Sequence, residues 1–260
     1  STGSATFADY NAAWHFDDPG DNIRLPELRS GLPTKKQANN LDTDPSFLHR
    51  GLALSGNDTF AVLDDQEPGE TVRTAPFQLA TDTGSFSFLL GPFNDNGTSR
   101  PVGNGHTVFY ADGPGTTGSA GFDVRSLHFT IVDTAQGDPR AGLRVSLPTN
   151  PPPPAGNLEG VAVAGGVLDR NVFSHVLMSW TATGVQVYVN GALVALGNAT
   201  IIPFAVDVVK VGSSQLTANV LRASLDELRV SNAPRSAAFA RAEAVSIRDL
   251  LVTPGAVELR

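Results

Sequence analysis

VFSHVLMSWTATGVQVYVNGALVAL, residues 172–196, decides the fold. Val185, Val187 and Val189 recur at every second position, with Gln186 and Tyr188 between them. A half-buried strand needs that period, because successive side chains leave the backbone on opposite sides. Asn190-Gly191 follows at once. Both central residues of a tight hairpin turn must reach positive φ, and Asn-Gly does so at least cost. The sequence therefore predicts a hairpin, with a returning strand over 192–196.

The same alternation recurs on both sides. Trp14 and Phe16 share one face of a predicted strand over 12–18, and His15 and Asp17 the other. Besides a further one starting at Phe77, short strands follow at 51–56, within 57–65, and at 85–90, 108–111, 127–132, 143–147, 161–168, 206–211 and 223–230. Phe86 and Phe88 point inward from the third of these, with Ser85 and Ser87 outward. Strict alternation in the last puts Leu225 and Glu227 on one face and Asp226 and Leu228 on the other. Residues 19–46 read as loop, of a length that is often functional. The four prolines at 151–154 are extended and cannot donate to a ladder, so they read as a surface connection. Pro234 before Ser236 starts the one predicted helix, over 236–250. Its expected buried face is Ala237, Phe239, Ala240, Val245 and Leu250. About a dozen short strands and one late helix predict an all-β fold. The expected architecture is a two-sheet antiparallel β-sandwich, a jelly roll, with one short C-terminal helix. It forms a single domain over 1–260, with long loops near 19–46, 91–122 and 148–160.

Composition narrows the function. The 260 residues are 41% hydrophobic, enough for a sizeable core, and their 26 glycines and 18 prolines suit many turns. Net charge is −8, and Lys35-Lys36 is the only lysine pair, so a nucleic-acid or anionic-membrane surface is not expected. An acidic chain is compatible with bound Ca²⁺. Cysteine is absent, which excludes disulfides, thiolate zinc sites and a cysteine nucleophile. No apolar run reaches the ~18 residues that span a membrane. Ser1 is not an initiator methionine and no signal peptide precedes it, so a processed mature protein or an excised domain is expected. Sequons stand at Asn57, Asn96 and Asn198, as chance allows in a chain rich in Asn and Thr.

Three motifs occur in order: Trp14-His15-Phe16-Asp17-Asp18 followed by GLALSGND at 51–58; Ser174-His175-Val176 followed by GVQVYVNG at 184–191; and LDELRVSNAPRS at 225–236. Together they resemble the LamG-like jelly rolls of the concanavalin A-like lectin/glucanase superfamily, in its bacterial, extracellular form. There the pattern runs roughly W-x-F-D-E, G-x-A-L-x-F-x-G, W-H-H-V-A to V-x-L-Y-V-N-G, and G-x-I-D-E-V-R-I. The likeness spans Trp14 to about Ser236. Phe173-Ser174-His175 stands where the family has Trp-His-His. The resemblance implies a structural Ca²⁺ held by Asp226, by Asp17 or Asp18, and by the backbone near Gly51. Carboxylates and carbonyls are the hard oxygens that this ion takes.

Catalysis is not expected. Glycoside hydrolysis needs two carboxylates flanking one bond. The superfamily's glucanases carry them as Glu-x-Asp-x-x-Glu on one strand, and no such run occurs. Asp64-Asp65 and Asp226-Glu227 are adjacent, so on a strand they point apart. The alginate-lyase signatures of the fold and a G-x-S-x-G motif are missing too. His15, His49, His106, His128 and His175 are scattered without metal-ligand spacing, and read as structural or surface residues. A sugar presents apolar C–H faces and hydroxyls, so aromatic faces with Asn or Asp beside them suit it. Tyr110, Trp180, Asn104 and Asp112 are the candidates, with core packing as the competing reading of the two aromatics. The expected function is a non-catalytic extracellular binding or adhesion module for a glycan or cell-surface ligand. Two alternatives stay open. One is a structural subunit that self-associates into a filament, sheath or layer; the other is a glycan-active enzyme with an unrecognised site.

Overall fold

The computed structural model describes residues 12–14, 42–45, 50–55, 61–65, 83–93, 105–112, 127–132, 139–147, 162–201, 208–212 and 221–247. The four-proline run lies outside them. Fourteen strands and one helix make up these segments. The strands are β1 (Ala12–Trp14), β2 (Asp42–Pro45), β3 (Arg50–Ser55), β4 (Ala61–Asp65), β5 (Gly84–Phe93), β6 (Gly105–Asp112) and β7 (Leu127–Val132). They continue with β8 (Arg140–Ser146), β9 (Ala162–Asp169), β10 (Ser174–Thr181), β11 (Gly184–Val189), β12 (Ala192–Asn198), β13 (Val208–Val211) and β14 (Arg222–Ser231). The helix is α1 (Ala237–Ile247).

Two antiparallel sheets result. The first has eight strands in the order β12-β11-β10-β5-β14-β3-β2, with β1 also pairing to β14. β3 takes the Arg222 end of β14 and β1 the Leu228 to Val230 stretch, so both share one side of it. The second sheet has six strands, β4-β13-β6-β7-β8-β9. The fold is the expected two-sheet β-sandwich.

The inward registers fill the space between the sheets. Phe86 and Phe88 on β5 face Phe109 on β6 and Phe129 on β7. Phe86 stacks on Phe109 with ring centroids 4.8 Å apart, and Phe88 meets Phe129 edge-on at 5.4 Å. Offset and edge contacts of this kind add about 0.5–1.5 kcal/mol per pair to the area they bury. The indole of Trp180 lies over Gly84, where a Cβ would stand 2.4 Å from the ring. Glycine is needed there for the close approach.

The opening stretch folds as β10, β11 and β12, a meander at one end of the larger sheet. Val185, Val187 and Val189 are inward, and Asn190 and Gly191 take φ of 51° and 80°. The turn is also tied to β10: Asn190 N donates to His175 O at 2.8 Å, and His175 N to Asn190 Oδ1 at 3.0 Å.

Three expectations change. Residues 42–45, read as loop, form β2; Pro45 is tolerated because β2 is the sheet's edge, where its missing N–H costs no ladder bond. In β14 a bulge between Asp226 and Arg229, with Glu227 at φ 54°, turns both Leu225 and Leu228 into the core. An extra residue shifts the parity, so strict alternation fails there. The helix is shorter than 236–250, and its buried residues are Ala240, Glu243, Ala244 and Ile247. Glu243 displaces the all-apolar face because its carboxylate has buried partners.

Candidate functional site

α1 lies on the outward face of the eight-stranded sheet, where Leu177, Tyr188 and Ala240 form a small apolar cluster. Beside it, the buried carboxylate of Glu243 accepts three bonds from the sheet. Ser87 Oγ donates at 3.1 Å, His175 Nε2 at 3.1 Å and Arg229 Nη1 at 2.8 Å. The other terminal nitrogen of Arg229 holds Glu227. A buried charge is tolerated when it is paired and hydrogen-bonded. Four residues from four elements thus fix the helix in position.

The connection into α1 is held by hydroxyls. Ser85 Oγ donates to Ala233 O at 3.0 Å, Thr83 Oγ1 to Asn232 O at 3.2 Å, and Arg235 N to Ser179 Oγ at 2.8 Å. Ser236 caps the helix, its Oγ accepting from Phe239 N at 3.2 Å. Pro234, Arg235 and Ser236 thereby stand as one wall of a groove of ≈ 370 Å³. Thr181, Thr183, Leu196 and Asn198 line the opposite side, and Ser179, Gly184 and Gln186 lie between.

The groove suits polyhydroxylated ligands. The side chains of Thr181, Thr183, Gln186 and Asn198 are exposed and offer hydroxyl and amide groups. Leu196 is 59% exposed and supplies an apolar patch. Gln186 is oriented by Tyr188, whose OH donates to Oε1 at 2.7 Å. Burial raises the Tyr188 phenol above its usual range, against the opposing pull of Arg241, so it remains a donor. Arg235 is the charged residue among the described residues of the lining; its guanidinium lies 4.5 Å above the Phe239 ring, and Nη2 donates to Ser231 Oγ at 3.3 Å.

The residues expected at a ligand site do not gather here. Trp180 sits on the inward register of β10 and is 1% exposed, so its indole is core and presents no face to a ligand. Tyr110 is buried on the outward side of the other sheet, edge-on to His128 at 4.6 Å. Asp112 ends β6 opposite Val208, with its side chain outside the described residues, and Asn104 lies outside them as well. Sequence reasoning missed the groove because its walls come from the β10–β11 turn, β12 and the approach to α1, 183 and 235 being far apart along the chain. The outward register of Gln186 was the one legible signal.

Residues 72–239, more than half of the chain, match the Laminin_G_3 family of the concanavalin A-like lectin/glucanases superfamily. The chain belongs to that superfamily. No curated protein matches the sequence. Among solved structures it is similar to domain 4 of an extracellular GH43 arabinanase from Geobacillus stearothermophilus in complex with arabinotriose. That likeness has a TM-score of 0.55 at 14% identity, over 91% of this chain and 98% of the other. The binding domain of Paraclostridial mosquitocidal protein 1 gives 0.60 at 10% identity, over 92% of this chain and 52% of that one. The ligand-binding domain of botulinum neurotoxin serotype D, in complex with N-acetylneuraminic acid, gives 0.56 at 10% identity, over 93% and 53%. The chain thus spans about half the length of those two toxin domains. At these identities the likeness is one of fold.

Of the Ca²⁺ ligands expected from the resemblance, Asp226 and Gly51 stand on the paired strands β14 and β3. The β14–β3 ladder runs from Arg222 opposite Ser55 to Leu225 opposite Leu52. Asp226 is 1% exposed, and its Oδ1 accepts the Glu227 amide at 2.8 Å. Carboxylate and carbonyl oxygens are the donors that Ca²⁺ takes. β1 runs toward Asp226 and ends at Trp14 opposite Leu228; Asp17 and Asp18 lie outside the described residues. Among the described residues no group of three or more His, Asp or Glu side chains is placed to hold a metal ion.

Proposed function

We propose that this chain is a non-catalytic extracellular glycan-binding module, with the ligand seated in the groove between β10–β12 and the N-terminal end of α1. The observation that carries this is the lining: exposed hydroxyl and amide groups around an exposed leucine, which match a sugar's hydroxyls and C–H faces. Fold relatives in complex with arabinotriose and N-acetylneuraminic acid support it. So does the chemistry of the lining, whose described residues include no Asp or Glu to act as acid or nucleophile. A glycan array run with and without Ca²⁺, paired with a reducing-sugar assay, tests the reading. Binding without turnover is expected, and Gln186→Ala or Asn198→Ala should weaken it roughly threefold to tenfold, the worth of a hydrogen bond. Turnover would convert the module to an enzyme; undiminished binding by both variants would move the ligand elsewhere.

Self-association is the second reading. β12 is an edge strand, and Leu193 and Leu196 are both more than half exposed on its outward side. Light scattering distinguishes the two: a monodisperse monomer favours the binding module, and a concentration-dependent polymer the assembly subunit.

A further inference from the structure

We propose that the glycan taken by this groove carries an acetamido group, and that facing residues of β11 and β12 recognise that group. This deepens the groove reading above and rests on it. The ladder carries the inference. Gln186 on β11 stands opposite Leu196 on β12, and Gly184 opposite Asn198. The two pairs form consecutive rows on the outward face of the sheet, and all four residues line the groove. In the first row Gln186 is a donor and Leu196 an apolar surface. Tyr188 OH engages Gln186 Oε1 at 2.7 Å, which leaves the two N–H donors of Nε2, and no described residue accepts from them. Leu196 beside it is 59% exposed. In the second row Gly184 is bare floor and Asn198 an acceptor. A Cβ at Gly184 would stand 2.5 Å from Gly197 O and 3.5 Å from Asn198 Oδ1. A side chain does not fit there, and the Asn198 oxygen lies beside the open floor.

An acetamido group fits these four corners. Its amide is planar and trans. The carbonyl carbon bears the oxygen on one edge and the methyl on the other. The nitrogen bears the sugar ring on the oxygen's edge and the hydrogen on the methyl's edge. Set over the first row, the oxygen accepts from Gln186 Nε2 and the methyl covers Leu196. Over the second row, the ring lies on Gly184 and the N–H donates to Asn198 Oδ1. Thr181, opposite Gly184 on β10, bounds the far side of the ring. A hydroxyl on the same sugar carbon could bond to one of the two amides, but it would leave Leu196 in water. The Tyr188 bond holds Gln186 in place before the ligand arrives, so little further freedom is lost on binding.

The test uses matched oligosaccharides of glucose, galactose and mannose, each in 2-hydroxy, 2-formamido and 2-acetamido form. Binding is measured by calorimetry for the full chain, for Gln186→Glu and for Leu196→Ser, with circular dichroism to check folding. The acetamido member is expected to bind about tenfold or more over its 2-hydroxy counterpart, the worth of an added hydrogen bond and a covered methyl. The formamido member lacks the methyl and should fall about fourfold below it. Gln186→Glu keeps the shape and the Tyr188 bond but exchanges donor for acceptor. It should abolish the acetamido preference, while the 2-hydroxy forms, which can donate to a carboxylate, stay bound. Leu196→Ser should bring the acetamido and formamido members level. Should either variant fail to fold, the three forms on the unaltered chain decide. Equal binding of the 2-hydroxy and acetamido forms, or of the formamido and acetamido forms, overturns the acetamido ligand and leaves the groove reading standing. So does a preference untouched in a folded Gln186→Glu or Leu196→Ser. Absence of binding to these sugars and to every glycan of the array overturns both.

Discussion

Glu243 is a charged residue that a polar face would have kept in water, yet it is buried with three donors around it. Its removal leaves the Arg229 guanidinium, with a side chain only 11% exposed, without its main counter-charge on the helix. Breaking a buried pair on one side costs about 3–5 kcal/mol. Glu243→Ala is therefore expected to lower stability by about that amount in urea denaturation, and a loss below about 1 kcal/mol would mean that water compensates the arginine. His128 gives the corresponding prediction for pH. Burial pushes its pKa down to about 3 from an ordinary 6.5. The unfolded chain then takes up the proton first as acid is added, so this contribution is complete above 6.5 and is lost as pH falls toward 3. The urea midpoint should decline through that window, and His128→Gln should decline less steeply. Parallel curves would place the acid sensitivity on other groups.

At the scale of elements, α1 links stability to the site. The helix docks by Glu243 near its C-terminal half, while the residues just before its N-terminus form a groove wall. Ser236 is both cap and wall. Ser236→Ala should cost about 1 kcal/mol of stability by thermal or chemical melting. It should also weaken glycan binding more than the loss of one hydroxyl would, because the wall loosens with the helix turn. Unchanged affinity alongside reduced stability would show the wall to be held by the Ser85, Thr83 and Ser179 bonds alone. Legibility in sequence divides along the same line. The strand alternation of β5, β7, β8 and β11 was readable, since successive side chains leave a strand on opposite sides. β14 misled because its bulge inserts one residue, and α1 misled because a buried acid carries no apolar signal.

For the molecule as a whole, the two sheets bring together residues that no local pattern relates. Asp226 and Gly51 stand on the paired strands β14 and β3, and the calcium expected from the resemblance is open to test. Chelator treatment followed by Ca²⁺ re-addition should raise the melting temperature, since an ion bound only by the folded state stabilises it. No rise at saturating Ca²⁺ would remove the ion. Among the described residues no helix is long and apolar enough to cross a membrane, and the outward face of the larger sheet carries the groove.

Sequence by itself determined most of the strands, the Asn190-Gly191 hairpin, the phenylalanine core and the superfamily, because each follows from local periodicity or from motifs in order. Tertiary structure alone decided where the aromatics went and where a ligand fits. Tyr110 and Trp180 look alike in sequence as sugar platforms, but the inward register of β10 commits Trp180 to the core and the outward face of β6 buries Tyr110 beside His128. The groove exists only once the β10–β11 turn, β12 and the capped start of α1 meet on one face. Register sets which way a side chain points, and packing sets what it meets there; the first is written in the period of the sequence, the second in contacts far apart along it.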